Sequence, residues 1–246
     1  MPKHSLEGGR NAAPDKRTKL DYSSDGTSSA KNQYAGWTVP TGGYNLPTID
    51  IASVTPDSFF REYIQQRRPV VLKGVPADIS QLEKWKDNSY LEEKVGDQSI
   101  MVEKRPSTND TFGKGNEIRM SVKTFLGKIE EGDDKHYLTT QDVHANSEGR
   151  PDLMAPLMKG LKMDFPLRPA LMGNLVPQNI NMWMGNNKEG ASSGLHHDYH
   201  DNLYIVVKRR KRGRLYSPMD IEHVYTRGQL LKVHPNGRIN YKGGEI

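Results

Sequence analysis

The sequence contains no cysteine, which excludes disulfide cross-links, thiolate metal sites and cysteine nucleophiles. It has no apolar run near the roughly 20 residues that a membrane-spanning helix needs, so no membrane partner is expected. Its first residues lack the apolar core of a secretory signal, and the expected location is intracellular, nuclear or cytoplasmic. Aromatic residues are sparse, at 8% of 246, and hydrophobic residues of all kinds reach only 34%. That still suffices for one packed domain of roughly 200 residues with a tail. The charge excess is small too: a formal net charge of +5 supports only weak, salt-sensitive attraction to nucleic acid or acidic partners. The positive charge is unevenly placed, however. Six of the seven residues from Lys208 to Arg214 are lysine or arginine.

Residues 1–36 are rich in Gly, Ser, Asn, Asp and Lys and cannot bury enough surface to offset the entropy of ordering, so a disordered polar and basic tail is expected. Lys16-Arg17-Thr18-Lys19 within it reads as a solvated stretch, or as an import or nucleic-acid contact. A single domain over 37–246 follows. Ile49-Asp50-Ile51 suggests a short strand. Thr55-Pro56 suggests a capped helix start running to about Gln66, with Phe59, Phe60, Tyr63 and Ile64 on its apolar face. Pro69 to Gly74 reads as a buried strand, Ser80 to Leu91 as helical, and Ser99 to Glu103 as a strand. Thr108 to Gly115 reads as a polar loop, Val122 to Ile129 as a helix and His136-Tyr137-Leu138 as a strand. Prolines between Pro151 and Pro169 argue for short helical turns. From Asn179 the texture is β-rich, with strands expected at Ile180 to Met184, Leu195 to Asp198, Leu203 to Lys208 and Arg212 to Ser217. Mixed amino-terminal elements followed by strands indicate an α+β fold that opens into an antiparallel sheet or barrel.

The chemistry concentrates at Ser193-Gly194-Leu195-His196-His197-Asp198. Side chains alternate along a strand, so His196 and Asp198 share a face, with Cα atoms about 6–7 Å apart. An imidazole and a carboxylate so placed are two of the three protein ligands of a 2-His-1-carboxylate iron site. His200 shares the face but would lie about 13 Å from His196 on a continued strand, so it serves as third ligand only if the chain turns sharply. His197 points the other way.

Trp183-Met184-Gly185, Ser193-x-Leu195-His196-x-Asp198, Asn202-Leu203-Tyr204, Lys211 and Leu215-Tyr216-Ser217-Pro218, in this order, resemble the JmjC/cupin-like Fe(II)- and 2-oxoglutarate-dependent oxygenases. The similarity is to the small JmjC-only hydroxylases, and it is specific over about Asn179 to Pro218 and looser over Phe60 to Gly74 and His136 to Gln141. It implies a double-stranded β-helix (jelly-roll or cupin) core with amino-terminal helices, and Fe(II) and 2-oxoglutarate as cofactors. His196 and Asp198 match metal ligands. Lys211 matches the lysine that pairs with the distal carboxylate of 2-oxoglutarate, a charge-assisted contact. Tyr137 and Ser193 match hydroxyls near that carboxylate, and Asn202 an amide lining the cosubstrate pocket. The implied reaction is hydroxylation of a protein or peptide side chain, or demethylation of a methylated residue, coupled to decarboxylation of 2-oxoglutarate to succinate. Relatives of this kind often form homodimers.

The sequence departs from the family pattern in three ways. A distal histidine after the lysine is expected on a later strand, but only His223 and His234 follow, and His234-Pro235-Asn236-Gly237 reads as a turn. The expectation is therefore a barrel incomplete at its carboxyl end. Arg209 stands where relatives usually carry glycine, costing on the order of 1 kcal/mol if φ must be positive. Gly213 stands where an apolar side chain is typical, and a barrel-facing glycine there would leave a cavity costing roughly 3–5 kcal/mol. Two alternatives remain open at this level. One is a non-catalytic protein that contacts nucleic acid or acidic partners through residues 208–214; the other is a cupin that uses zinc or another divalent ion.

Overall fold

A computed structural model describes residues 36–40, 42–107, 115–145, 147–187, 190, 192–196, 198, 200–223, 229–233 and 239–242, which fall in one compact unit, Ala35–Ile246. The expected tail up to residue 35, most of the Thr108–Gly115 loop, His197 and His234 lie outside the described residues.

The first layer is small. Strand β1 (Thr48–Asp50) pairs in parallel with β2 (Val71–Lys73). Between them, Thr55 caps helix α1 (Pro56–Phe59) through a capping box with Ser58, because Thr and Ser side chains satisfy amide groups that the first turn leaves open. The chain continues as a wider π-turn, Phe60–Ile64. Phe59 is buried while Phe60 is 42% exposed, so the expected apolar face is narrower than its spacing suggests. Strand β2 is not buried as expected: Val71 is 46% exposed, because the two-stranded sheet covers it on too few sides. Gly74, with φ 105°, ends this segment.

The core lies between helices and one face of a sheet. A 3-10 helix, Ala77–Lys86, turns at Asp87 into helix α2 (Asn88–Val95), where Asp87 caps the backbone N–H of Ser89. Strand β3 (Ser99–Lys104) is central, with β4 (Asn116–Ser121) on one side. Helix α3 (Val122–Glu130) follows directly, capped by Ser121. It leads to β5 (His136–Leu138) on the other side of β3. Helix α4 (Pro156–Gly160) precedes β6 (Met184–Gly185), which extends the sheet to the order β4-β3-β5-β6, antiparallel throughout. Strand β4 escapes sequence reading because Asn116-Glu117-Ile118-Arg119 is polar, as befits an edge strand.

Register follows from burial. Val102 and Leu138 pair across β3 and β5 and are buried with Leu91, Val95, Phe125 and Leu126 of α2 and α3. Alternation then sends Glu103 and Tyr137, the next pair, to the opposite face. Where β5 ends, Gln141 continues the pairing by donating to and accepting from the backbone of Met101 at 2.8 Å. The entrance to β5 is fixed by Asp133, whose carboxylate takes the amides of Lys135 and His136 and the ring of buried His136 at 2.8 Å. Burial alone would raise the pKa of Asp133, but these hydrogen bonds outweigh it and hold the carboxyl below its ordinary value.

Among the described residues the sheet closes into no barrel, and the segments expected as strands at Leu195–Asp198, Leu203–Lys208 and Arg212–Ser217 carry no ladder. Their β-favouring side chains find no neighbouring strand to pair with, and propensity without a partner makes no sheet. A separate hairpin is formed by β7 (Gln229–Val233) and β8 (Ile239–Lys242).

Asp164 ties the helical layer together. It accepts from Trp85 Nε1 and from the Tyr90 hydroxyl, both at 2.8 Å, and Trp85 meets Phe165 edge-on. Asp164→Ala removes both bonds to one partly buried carboxylate and is expected to lower stability by about 2 kcal/mol. Urea unfolding of the variant against the wild type reads this directly.

Candidate active site

Of the expected site residues, Tyr137 sits on the sheet, on the face opposite Val102 and Leu138. Tyr137 lies across Gly185, its partner on β6: a Cβ at position 185 would come within 2.5 Å of Tyr137 Cδ2. Glycine at 185 is therefore required by the ring, which explains the glycine of Trp183-Met184-Gly185. Burial, then the neighbouring Tyr204 and Glu103, push the Tyr137 hydroxyl up to about 12. It stays a protonated donor at neutral pH.

Tyr204 is a site residue to which the sequence reading assigned no role. Its ring stacks on Trp183 at 5.9 Å with 18° between planes, and Lys211 Nζ stands 5.4 Å from its centroid. A cation over an aromatic face is attracted by the ring quadrupole. Tyr204 thus stands between Trp183 and Lys211. The available signal was its place in Asn202-Leu203-Tyr204, one of the motifs that carry the family resemblance. Val207, further along, packs against the core. Residues 203–207, with Leu72, Ile79, Leu82 and Leu171, bound a cavity of about 150 Å³.

The expected metal ligands come together without a strand to carry them. His196 Nε2 lies 3.8 Å from Asp198 Oδ1. His196 Nδ1 is 3.0 Å from the carbonyl of Gly194, a residue at φ 73° whose amide is bonded to Ser192. The other Asp198 oxygen, Oδ2, accepts from Asn202 Nδ2 at 2.7 Å. An Nδ1–H donated to a carbonyl leaves the Nε2 lone pair available to a metal. Ligand bonds of about 2.0–2.2 Å from nitrogen and oxygen can span such a gap. The donor set, one imidazole and one carboxylate with open sides, therefore fits Fe(II) or another divalent ion of this class. Both side chains are more than half exposed.

Other expectations fare differently. Asn202 is bonded to Asp198, and Ser193 stands exposed in the preceding loop. His200 and His223 are exposed, and no cluster of three His, Asp or Glu able to hold a metal is found among the described residues. Arg209 adopts φ 70°, the left-handed conformation in which glycine would be unstrained. Gly213 needs correction: residues 211–217 form no strand, and a Cβ there meets nothing within 4 Å. The expected cavity cost has no packed surroundings to act on. The basic run is exposed from Lys208 to Arg214, and Lys208 Nζ reaches the carbonyl of Lys86 at 2.8 Å.

Two outcomes are expected. Ultraviolet pH titration should show one tyrosine ionising only near pH 12, a transition that Tyr137→Phe removes. Arg209→Gly should raise stability by roughly 1 kcal/mol, measured by denaturant unfolding, by relieving the positive φ.

The model of the cupin-like domain matches residues 56–241. The JmjC domain-containing protein 4 of Schizosaccharomyces pombe is 38% identical over 87% of this chain and 48% of its own length. The human bifunctional peptidase and (3S)-lysyl hydroxylase JMJD7 is 25% identical over 68% of this chain and 52% of its own. The tRNA wybutosine-synthesizing protein 5 of Danio rerio is 29% identical over 73% and 56%. The chain thus spans about half the length of these relatives. No helix among the described residues is long and apolar enough to cross a membrane. With the family model covering most of the chain and the JmjC relatives matching it, the protein belongs to the cupin-like JmjC family of 2-oxoglutarate oxygenases.

Proposed function

We propose that this chain is the iron- and 2-oxoglutarate-binding part of an oxygenase that hydroxylates a protein side chain. The observation that carries the reading is the convergence of His196 Nε2 and Asp198 Oδ1, with Nδ1 of the same ring turned to a carbonyl. His196 and Asp198 would hold the metal, whose chemistry is to activate oxygen as 2-oxoglutarate is decarboxylated to succinate. Lys211 supplies the cation for the distal carboxylate of 2-oxoglutarate. The Tyr137 hydroxyl, protonated at neutral pH and more so for its burial, supplies a donor beside it. A lysyl side chain is the first substrate to try, since one relative is named a lysyl hydroxylase. Demethylation is the other outcome of the same site and differs by releasing formaldehyde.

A second reading has its own observation. Arg209, Arg210, Arg212 and Arg214 are exposed together, and one relative is named for tRNA modification. On that reading the chain binds RNA through the basic run with an affinity that falls steeply with salt and ignores metal.

The deciding experiment is succinate release from 2-oxoglutarate with added Fe(II) and ascorbate. Turnover is expected, abolished in His196→Ala, with the KM for 2-oxoglutarate raised about tenfold or more in Lys211→Ala, the loss of one charge-assisted contact. No turnover from folded protein, together with salt-sensitive RNA binding, would favour the second reading.

A further inference from the structure

The two donors at the candidate metal site are exposed and lie on chain with no ladder, so neither packing nor a sheet fixes them. Each is instead tied by one local hydrogen bond on the side away from the other. The Gly194 carbonyl, 3.0 Å from Nδ1, sets the plane and tautomer of the His196 ring. Gly194 can present it because its φ of 73° turns the chain back, an arrangement secured by Ser192 Oγ on its amide. Asn202 Nδ2, 2.7 Å from Oδ2, sets the rotation of the Asp198 carboxylate and leaves Oδ1 toward His196.

We propose that Asn202 is a positioning residue for the metal-binding carboxylate, acting through Asp198 rather than by touching 2-oxoglutarate, with Gly194 as its counterpart behind His196. This deepens the functional reading above and rests on it. The physical reason is that a carboxylate with both oxygens free samples rotations in which no oxygen faces the imidazole. One donated hydrogen bond removes most of those rotations before the ion arrives. Partners of this kind change metal affinity by about 10–100-fold when deleted. The same reasoning makes position 194 conformational rather than steric: a Cβ there meets nothing within 4 Å, yet the positive φ disfavours any side chain.

The test separates the metal from the cosubstrate. Mn(II) is titrated calorimetrically into the full chain without 2-oxoglutarate; 2-oxoglutarate is then titrated at saturating Mn(II). Circular dichroism checks that each variant is folded. Asn202→Ala is expected to weaken Mn(II) binding by about 10–100-fold while leaving the 2-oxoglutarate Kd unchanged. Gly194→Ala should weaken Mn(II) binding in the same direction. Unchanged Mn(II) affinity in Asn202→Ala with weakened 2-oxoglutarate binding would overturn the proposal and make Asn202 a cosubstrate contact. Mn(II) binding that survives both His196→Ala and Asp198→Ala, or that is absent from the wild type, would sink the metal-site reading itself and this inference with it.

Discussion

Everything at the candidate site depends on the two-faced character of the β3–β5 pair. Val102 and Leu138 are almost wholly buried against α2 and α3, and a slip of one residue would exchange them for Glu103 and Tyr137. Glu103 is itself buried, but with an oxygen accepting from the Gly115 amide. Moving that carboxylate among apolar side chains and displacing two large apolar groups from the core costs several kcal/mol. The apolar face therefore fixes the register, and the register fixes where the Tyr137 hydroxyl stands. The carboxylate of Asp133 at the strand entrance and the amide of Gln141 beyond its end hold the short strand at both limits. Three residues of β5 would otherwise be too few to resist slippage.

The metal-binding segment is built on a different principle. Its geometry is local: a glycine turn, a carbonyl, an amide and two donors within nine residues, from Gly194 to Asn202. Long-range structure enters further along the chain, for example through Tyr204 and Val207. The first is stacked on Trp183 beside β6, and the second is packed on the core. A rigid sheet supplies the wall of the site and a self-organised turn supplies its donors. Sites assembled this way gain their final order when a ligand occupies them, because few other contacts oppose motion.

Much of the scaffold was legible in the sequence, for physical reasons that differ by element. Helix α3 is announced by a serine cap and by Val122, Phe125 and Leu126 at helical spacing, and its burial agrees. Strands β3 and β5 are marked by short runs with β-branched or aromatic residues, Ile100 and Val102 in one and Tyr137 in the other. Strand β4 was invisible because an edge needs no apolar face, and the exposure of β2 could not be read because burial depends on what lies over a strand. The residues from Leu203 to Ser217 show the limit in the other direction. Their β-favouring composition is plain, but a strand is a relation between two segments, and composition describes only one. At the site, strand alternation pointed to His196 and Asp198, while Asn202 came only from the family resemblance and Tyr204 was given no role. The Asn202 partner could not be read, since an amide can serve a ligand or a carboxylate equally well.

The anchoring of Lys208 changes what the basic run can offer to other molecules. Its ammonium is bonded to the last turn of the Ala77–Lys86 helix, and the ammonium of Lys211 lies over Tyr204. Of six cations only the four arginines are uncommitted to these two contacts. Both lysines, though exposed, are held by contacts within the protein, so the freely presented charge of this turn is mainly guanidinium. Such a surface favours flat, bidentate acceptors such as phosphate and carboxylate over diffuse negative charge.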